Sequence, residues 1–254
     1  MGKQRRNWLA LAIVGALTGM SLHGSVQAAE ADGEETAHEL SETVVEAGRA
    51  KLAGGLVERR ENIGLLGSKD VMETPFQAMT FDKKALDQFS VPDRTILDTL
   101  SLSPAVRVGQ GATDSNVTIR GLSSNGNKWY INGVPGMAHQ KDMTANFVES
   151  VTVIAGPALG VRGTTAGWQE NAGGVVDMIS KKASSKGDRE AKLSFSGKSY
   201  VSQAVDVGER FGKNKEWGAR FNVMQGQGTL SVDHARMWKW GVYLNLDHKT
   251  TNST

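Results

Sequence analysis

The chain has 254 residues, of which 29 are basic, 27 acidic and 39% hydrophobic, with 30 Gly, 5 Pro and no Cys. A net charge of +2 leaves no broad basic footprint for nucleic acid, and the lack of cysteine excludes disulfides, thiolate metal sites and a cysteine nucleophile. Glycine above the usual ~7% points to many tight turns in a β-rich chain.

Lys3, Arg5 and Arg6 precede an uncharged run from Trp8 to Met20, and Ser25-Val26-Gln27-Ala28-Ala29 follows. A basic start, a 13-residue apolar run and small residues before a cut after Ala28 predict a cleaved secretory signal over 1–28. As a helix that run covers only ~20 Å of a ~30 Å hydrocarbon core, too short for an anchor. No later segment is apolar enough for a membrane helix, so the exported chain can cross a membrane only as β-structure.

Residues 29–61 are rich in Glu, Ala and Gly and are expected to form a flexible arm. Glu42-Thr43-Val44-Val45 interrupts it with β-branched residues that could add to the edge of a partner's sheet. On these residues alone, a chance run is the simpler reading.

Residues 62–183 have the composition of an α+β domain with a short mixed sheet and small helices. Asp82 to Phe89 predicts a helix capped by Asp82, with Ala85, Leu86 and Phe89 on one face. Pro92-Asp93 opens a second, with Ile96, Leu97 and Leu100 as its stripe and Pro104 as its end. Strands are predicted over 105–108, 117–120, 128–132, 148–154 and 174–180. The turns between them fall at Gly109-Gln110-Gly111, Asn125-Gly126, Asn132-Gly133 with Pro135-Gly136, and Ala172-Gly173-Gly174.

Residues 187–254 alternate apolar and polar side chains over long stretches: 192–201, 203–211, 216–225 and 237–248. Trp217, Ala219, Phe221 and Val223 share a face, as do Trp238, Trp240, Val242, Leu244 and Leu246. A soluble antiparallel sheet with one wet face has the same period, but strands of ~10 residues favour an antiparallel transmembrane β-barrel. The 68 residues from 187 hold about four such strands, fewer than the ~80 strand residues of the smallest barrel. An open, incomplete sheet with an exposed edge and an exposed aromatic face is therefore expected.

The five histidines show no i, i+4 pair, and neither a phosphate loop nor a dinucleotide fingerprint is complete. No enzyme, cofactor or metal site is expected.

Several stretches carry a resemblance in order: Ile63-Gly64-Leu65-Leu66-Gly67 with Asp70-Val71 and Thr74-Pro75-Phe76, Ser103-Pro104-Ala105-Val106-Arg107-Val108, and Val117-Thr118-Ile119-Arg120-Gly121. Asn132-Gly133-Val134-Pro135-Gly136, Glu149-Ser150-Val151-Thr152-Val153, Gly156-Pro157 and Gly173-Gly174-Val175-Val176-Asp177 continue it. Together they resemble the N-terminal part of a TonB-dependent outer-membrane siderophore receptor. The resemblance implies a plug over 62–183 and the first barrel strands over 187–254, an N-terminal fragment unable to form a pore alone. It implies that the arm over 29–61 is periplasmic, with a TonB box near 42–46 carried by Glu42, Thr43, Val44 and Val45. It implies TonB with its inner-membrane energising complex, a ferric siderophore and outer-membrane lipid as partners. The plug-motif positions are Arg120, Gly121, Glu149, Gly156, Pro157, Gly173 and Gly174, with Arg120 at the position that latches the plug to barrel-wall carboxylates. Apex loops over 123–127 and 137–141 offer Ser123, Asn125, Asn127, His139 and Gln140 as ligand candidates. The chain departs from the family pattern at Thr152, where an acid is usual, and at Ala155, where a base is usual. Asn132 and Asp177 stand where Asp and Asn are common. The alternative is a soluble periplasmic plug-type binding module from a truncated gene.

Overall fold

In a computed structural model of the chain, the structure describes residues 51–52, 55–58, 60–62, 68–74, 76–91, 96–109, 116–126, 129–138, 143–156 and 172–249. The secretory signal, Glu42 to Val45, Ile63 to Gly67, Pro92-Asp93, Asn127, His139, Gln140 and Pro157 lie outside the described residues.

Four short strands come first: β1 (Lys51–Leu52), β2 (Val57–Glu58), β3 (Arg60–Asn62) and β4 (Ser68–Asp70). They correct the arm expected through residue 61. Val57 is buried and pairs with Phe81, so the ordered sheet begins well before residue 62. Main-chain pairing to a sheet edge needs little apolar composition, which is why a Glu- and Gly-rich stretch concealed it.

β5 (Gln77–Phe81) leads into helix α1 (Lys83–Phe89), where Asp82 caps the start by accepting from the Ala85 amide at 2.9 Å. Asp82→Ala is expected to lower stability by about 1 kcal/mol, read as a shift in urea midpoint with unchanged slope. Helix α2 (Leu97–Leu100) is one turn, closed at Ser101 before Pro104, and Ile96, Leu97 and Leu100 are buried as expected.

β6 (Val106–Val108), β7 (Asn116–Ile119) and β8 (Leu122–Asn125) form a three-stranded antiparallel sheet. The strand expected to end at Arg120 ends at Ile119, and the turn expected at Asn125-Gly126 falls at Gly126, whose carbonyl accepts from the Trp129 amide at 3.1 Å, with an unexpected strand before it. Arg120 (φ +50°) and Gly121 (φ +83°) are the hairpin turn, and Ser123 and Asn125 lie in β8, paired with Thr118 and Asn116. β9 (Tyr130–Ile131) is shorter than the predicted strand, because Asn132 (φ +53°) and Gly133 (φ +79°) turn the chain into β10 (Val134–Pro135).

β11 (Val148–Ala155) and β12 (Gly174–Ser180) are the long central strands of a seven-stranded sheet ordered β1-β2-β5-β11-β12-β9-β10. The β12–β9 pairing is parallel and the rest antiparallel, the mixed sheet expected. Phe81, Leu86, Ile96, Leu100, Ile119, Trp129, Val151 and Val153 are among the core residues on one face. Tyr130, Ile154 and Val175 are buried in a second, smaller cluster.

The chain then enters β13 (Asp188–Ser196), β14 (Tyr200–Phe211), β15 (Trp217–Thr229) and β16 (Arg236–His248), paired consecutively as one antiparallel sheet. The strand expected over 192–201 is two strands, divided by a turn at Gly197 (φ +58°) to Ser199. In this sheet the usual burial is inverted. Leu244 and Leu246 are 65% and 67% exposed, whereas Arg220 and Asn222 on the other face are 7% and 4% exposed. Burying charge while exposing leucine is unfavourable in water and favourable where the outer medium is hydrocarbon. Trp217 pairs with His248, and ten residues along the same strand Gln227 pairs with Trp238. At ~3.3 Å per residue and a ~40° tilt, those aromatic rows stand ~25 Å apart, the height of an outer-membrane barrel's apolar band.

Candidate functional site

The inward face of the four-stranded sheet is polar because it receives the mixed-sheet domain. Among the described residues, three sets of contacts make the junction.

The first surrounds the connection between the two sheets. Lys181 Nζ donates to Asp206 Oδ2 at 2.9 Å, and Arg220 donates to both Asp206 oxygens at 2.8 and 3.0 Å. Arg220 also pairs with Asp188 at 3.3 Å and donates to the Lys182 carbonyl at 2.8 Å. Arg210 pairs with Asp247 at 2.8 Å and donates to the Ala183 carbonyl at 3.0 Å. Glycines across from the two arginines leave room for them. A Cβ at Gly208 would lie 3.1 Å from Arg220 Cγ, and one at Gly218 would lie 2.7 Å from Arg210 Nη1.

The second set lies along the sheet face. Asn222 Nδ2 donates to the Asn146 carbonyl at 2.9 Å, Asn245 Nδ2 donates to Ser180 Oγ at 2.7 Å, and Phe147 stacks on Tyr243 at 4.4 Å. A cavity of about 340 Å³ opens beside them, lined by Asn132, Lys181, Asn222 and Tyr243 among others.

The third set joins α1 to β13. Lys83 Nζ contacts Asp87 at 2.6 Å and Glu190 at 3.2 Å, while Lys192 contacts Glu190 at 3.2 Å and closes the square on Asp87.

The motif positions divide between two places. Arg120, Gly121, Gly156, Gly173 and Gly174 meet at one corner. Arg120 donates to Gln77 Oε1 at 3.3 Å and lies over Gly156, and the Gly156 amide donates to the Gly173 carbonyl at 2.8 Å. Gly174 (φ +148°) admits the close approach: a Cβ there would sit 2.3 Å from the Ile154 carbonyl oxygen and 2.9 Å from Ile119 Cγ2. Glu149 lies near the opposite end of β11, where the β11–β12 register shifts between Val148 and Ser150. Burial raises its carboxyl above the usual range against the pull of Arg220, Lys181 and Lys83. Between the ordinary carboxylate pKa and the raised one the native state keeps a proton that the unfolded chain has lost, so stability falls as pH rises through that interval and the full cost is present above it. Glu149→Gln is expected to raise the unfolding midpoint at neutral pH and leave it unchanged in acid; an equal shift at both pH values would refute this.

Three of the four departures have local explanations, and nothing in the structure explains Ala155. Thr152 is buried and shares a 2.7 Å hydrogen bond with Thr80, a place with no room for a charge. Asp177 Oδ1 accepts from the Gly133 amide at 3.1 Å, and Asn132 makes a two-way contact with Ser180 at 2.9 Å, donating to its hydroxyl and accepting from its amide. The exchange of Asp and Asn between these positions thus leaves each with a matched partner.

Residues 70–167 match the family described as the TonB-dependent receptor plug domain. Over those residues the chain is similar to the plug of TonB-dependent receptors. Beyond the plug, it is 25% identical over 197 residues to the ferrichrome receptor FcuA of Yersinia enterocolitica, covering 77% of this chain and 26% of that protein. The crystal structure of BauA, the ferric preacinetobactin receptor of Acinetobacter baumannii, superposes with a TM-score of 0.72 at 27% identity over 80% of this chain and 30% of BauA. The pyoverdine outer-membrane receptor FpvA of Pseudomonas aeruginosa has the same fold, with a TM-score of 0.64 at 17% identity over 80% of this chain and 29% of FpvA. The chain thus spans less than a third of the length of these relatives. The matches run past the plug, so the four antiparallel strands correspond to wall strands of those receptors.

The plug–wall residues Lys181, Asp206, Arg210, Arg220, Asn222 and Asn245 were absent from the sequence-based candidates. Alternation places the four wall strands' polar residues inward, but nothing local shows that a plug would occupy that side. Among the described residues, no group of three or more His, Asp and Glu side chains is placed to hold a metal ion.

Proposed function

We propose that this chain forms the plug and opening wall strands of an outer-membrane receptor that imports a ferric siderophore with energy delivered by TonB. One observation carries the reading: a plug seated on the polar face of a sheet whose other face is apolar and girdled by tryptophan. Where the plug is held by amide hydrogen bonds and exposed ion pairs it can be displaced, because water replaces each such contact at a small net cost, ~1 kcal/mol per hydrogen bond. An apolar seal of equal area would resist water entry.

In this mechanism, residues 1–28 direct export and are removed after Ala28. Glu42 to Val45 then extend from the periplasmic side and add to a sheet edge of TonB, whose pull reaches the plug through residues 46–61. Iron arrives already chelated, so the protein holds it through the chelator and needs no ligands of its own. Ser123 and Asn125 on β8, with Asn127, His139 and Gln140, remain the proposed apex contacts. The names of the ferrichrome and preacinetobactin receptors support a siderophore as cargo.

The test is iron uptake from supplied ferric siderophores by iron-starved cells. Val44→Pro in the intact gene is expected to abolish uptake while the receptor's amount in outer membranes stays unchanged. Full uptake by the variant would contradict the TonB-box assignment, and full uptake after deletion of the gene would contradict the transport reading.

A further inference from the structure

The two charged junctions between plug and wall differ in their exposure. Around the connection, the side chains of Lys181, Asp206 and Arg220 are 5–8% exposed, and the arginines also hold the carbonyls of residues 182 and 183. Such contacts are shielded from salt and costly to break, since each broken pair strands a buried charge. Across the α1–β13 junction, Lys83, Asp87, Glu190 and Lys192 form a square of alternating charge with side chains 31–36% exposed. Exposed pairs of this kind are individually weak and screened by salt. Behind the square is a small cavity of about 80 Å³, lined by Leu86, Ser202 and Ala204 among others, so little packing reinforces it.

We propose that the plug is hinged: the connection at 181–183 is a fixed pivot, and the Lys83–Asp87–Glu190–Lys192 square is a latch that opens first, swinging α1 away from β13 and β14. The inference rests on the plug being the moving part of a receptor. It adds which side moves and which residues govern it.

The absence of cysteine makes single reporters unambiguous. Ser202→Cys reports behind the latch and Ala183→Cys reports at the pivot, both small exchanges, with maleimide labelling followed in the full chain folded in lipid bilayers. Lys192→Asp, which sets three carboxylates against one lysine, is expected to raise labelling at position 202 about fivefold and leave position 183 unchanged. Adding Asp87→Lys restores attraction between the two elements and is expected to return labelling at 202 to its original rate. High salt is expected to act as Lys192→Asp does. An equal rise at both positions would mean release of the whole plug or unfolding and would overturn the hinge, as would no rise at 202. Because labelling does not depend on iron uptake, a failed transport assay and a failed hinge are separate results.

Discussion

Replacing Asp206 with alanine is expected to cost about 3–5 kcal/mol, the penalty of leaving buried cations without their counterion. Asp206 is an acceptor shared by Lys181 and Arg220, one reaching it from the end of the plug and the other from β15. Arg220 retains Asp188 at 3.3 Å and the Lys182 carbonyl, but Lys181 loses its ion pair while only 5% exposed. Asp206→Asn keeps the shape and one acceptor oxygen, so its cost should be smaller. Removing both ends with Lys181→Met and Asp206→Leu should cost less than Asp206→Ala alone, because Lys181 is no longer stranded and Arg220 keeps its pairing with Asp188. Urea unfolding in detergent, followed by fluorescence of the buried Trp129, would measure all three. A loss below ~1 kcal/mol for Asp206→Ala would mean that water reaches the cluster and that it does not tie plug to wall.

Leu244→Arg should cost about 2–4 kcal/mol in a bilayer and little in water. Leu244 lies in the row Val207, Phe221, Leu244, between the Trp217 and Trp238 rows and therefore near mid-height of the apolar band. The same substitution at Leu246, two residues nearer the Trp217 row, should cost less, because the penalty falls toward the interface. Reversible folding into lipid vesicles gives both values, and equal small losses would place this face in water.

Legibility in the sequence followed the range of the forces involved. Alternation is local, so the apolar faces of β15 and β16 were assigned correctly from residues 216–225 and 237–248. The N-cap at Asp82 was equally local. The short strands were harder. Leu122-Ser123-Ser124-Asn125 carries one large apolar residue and precedes a glycine, so it imitates a turn, while the true turn uses an arginine at positive φ, which propensity disfavours. At the junction, Asp87 meets Lys192 across 105 residues and Ser180 meets Asn245 across 65. No window of sequence contains both partners. The family-like motifs marked the corner at Arg120, Gly156 and Gly174, whereas Lys181, Asp206 and Arg220 belong to no motif and emerge only when the two sheets are placed together.

The four-stranded sheet is expected to keep one face in lipid and the other on the plug. The most direct test is a scan of single-cysteine spin labels from position 237 to 247 in the bilayer-folded chain. Relaxation by lipid-soluble oxygen is compared at each position with relaxation by a water-soluble nickel complex. A strict two-residue alternation is expected, with oxygen dominant at 238, 240, 242, 244 and 246 and low access to both reagents at 243 and 245, which meet Phe147 and Ser180 of the plug. Nickel access at 242, 244 and 246, or no alternation at all, would contradict it.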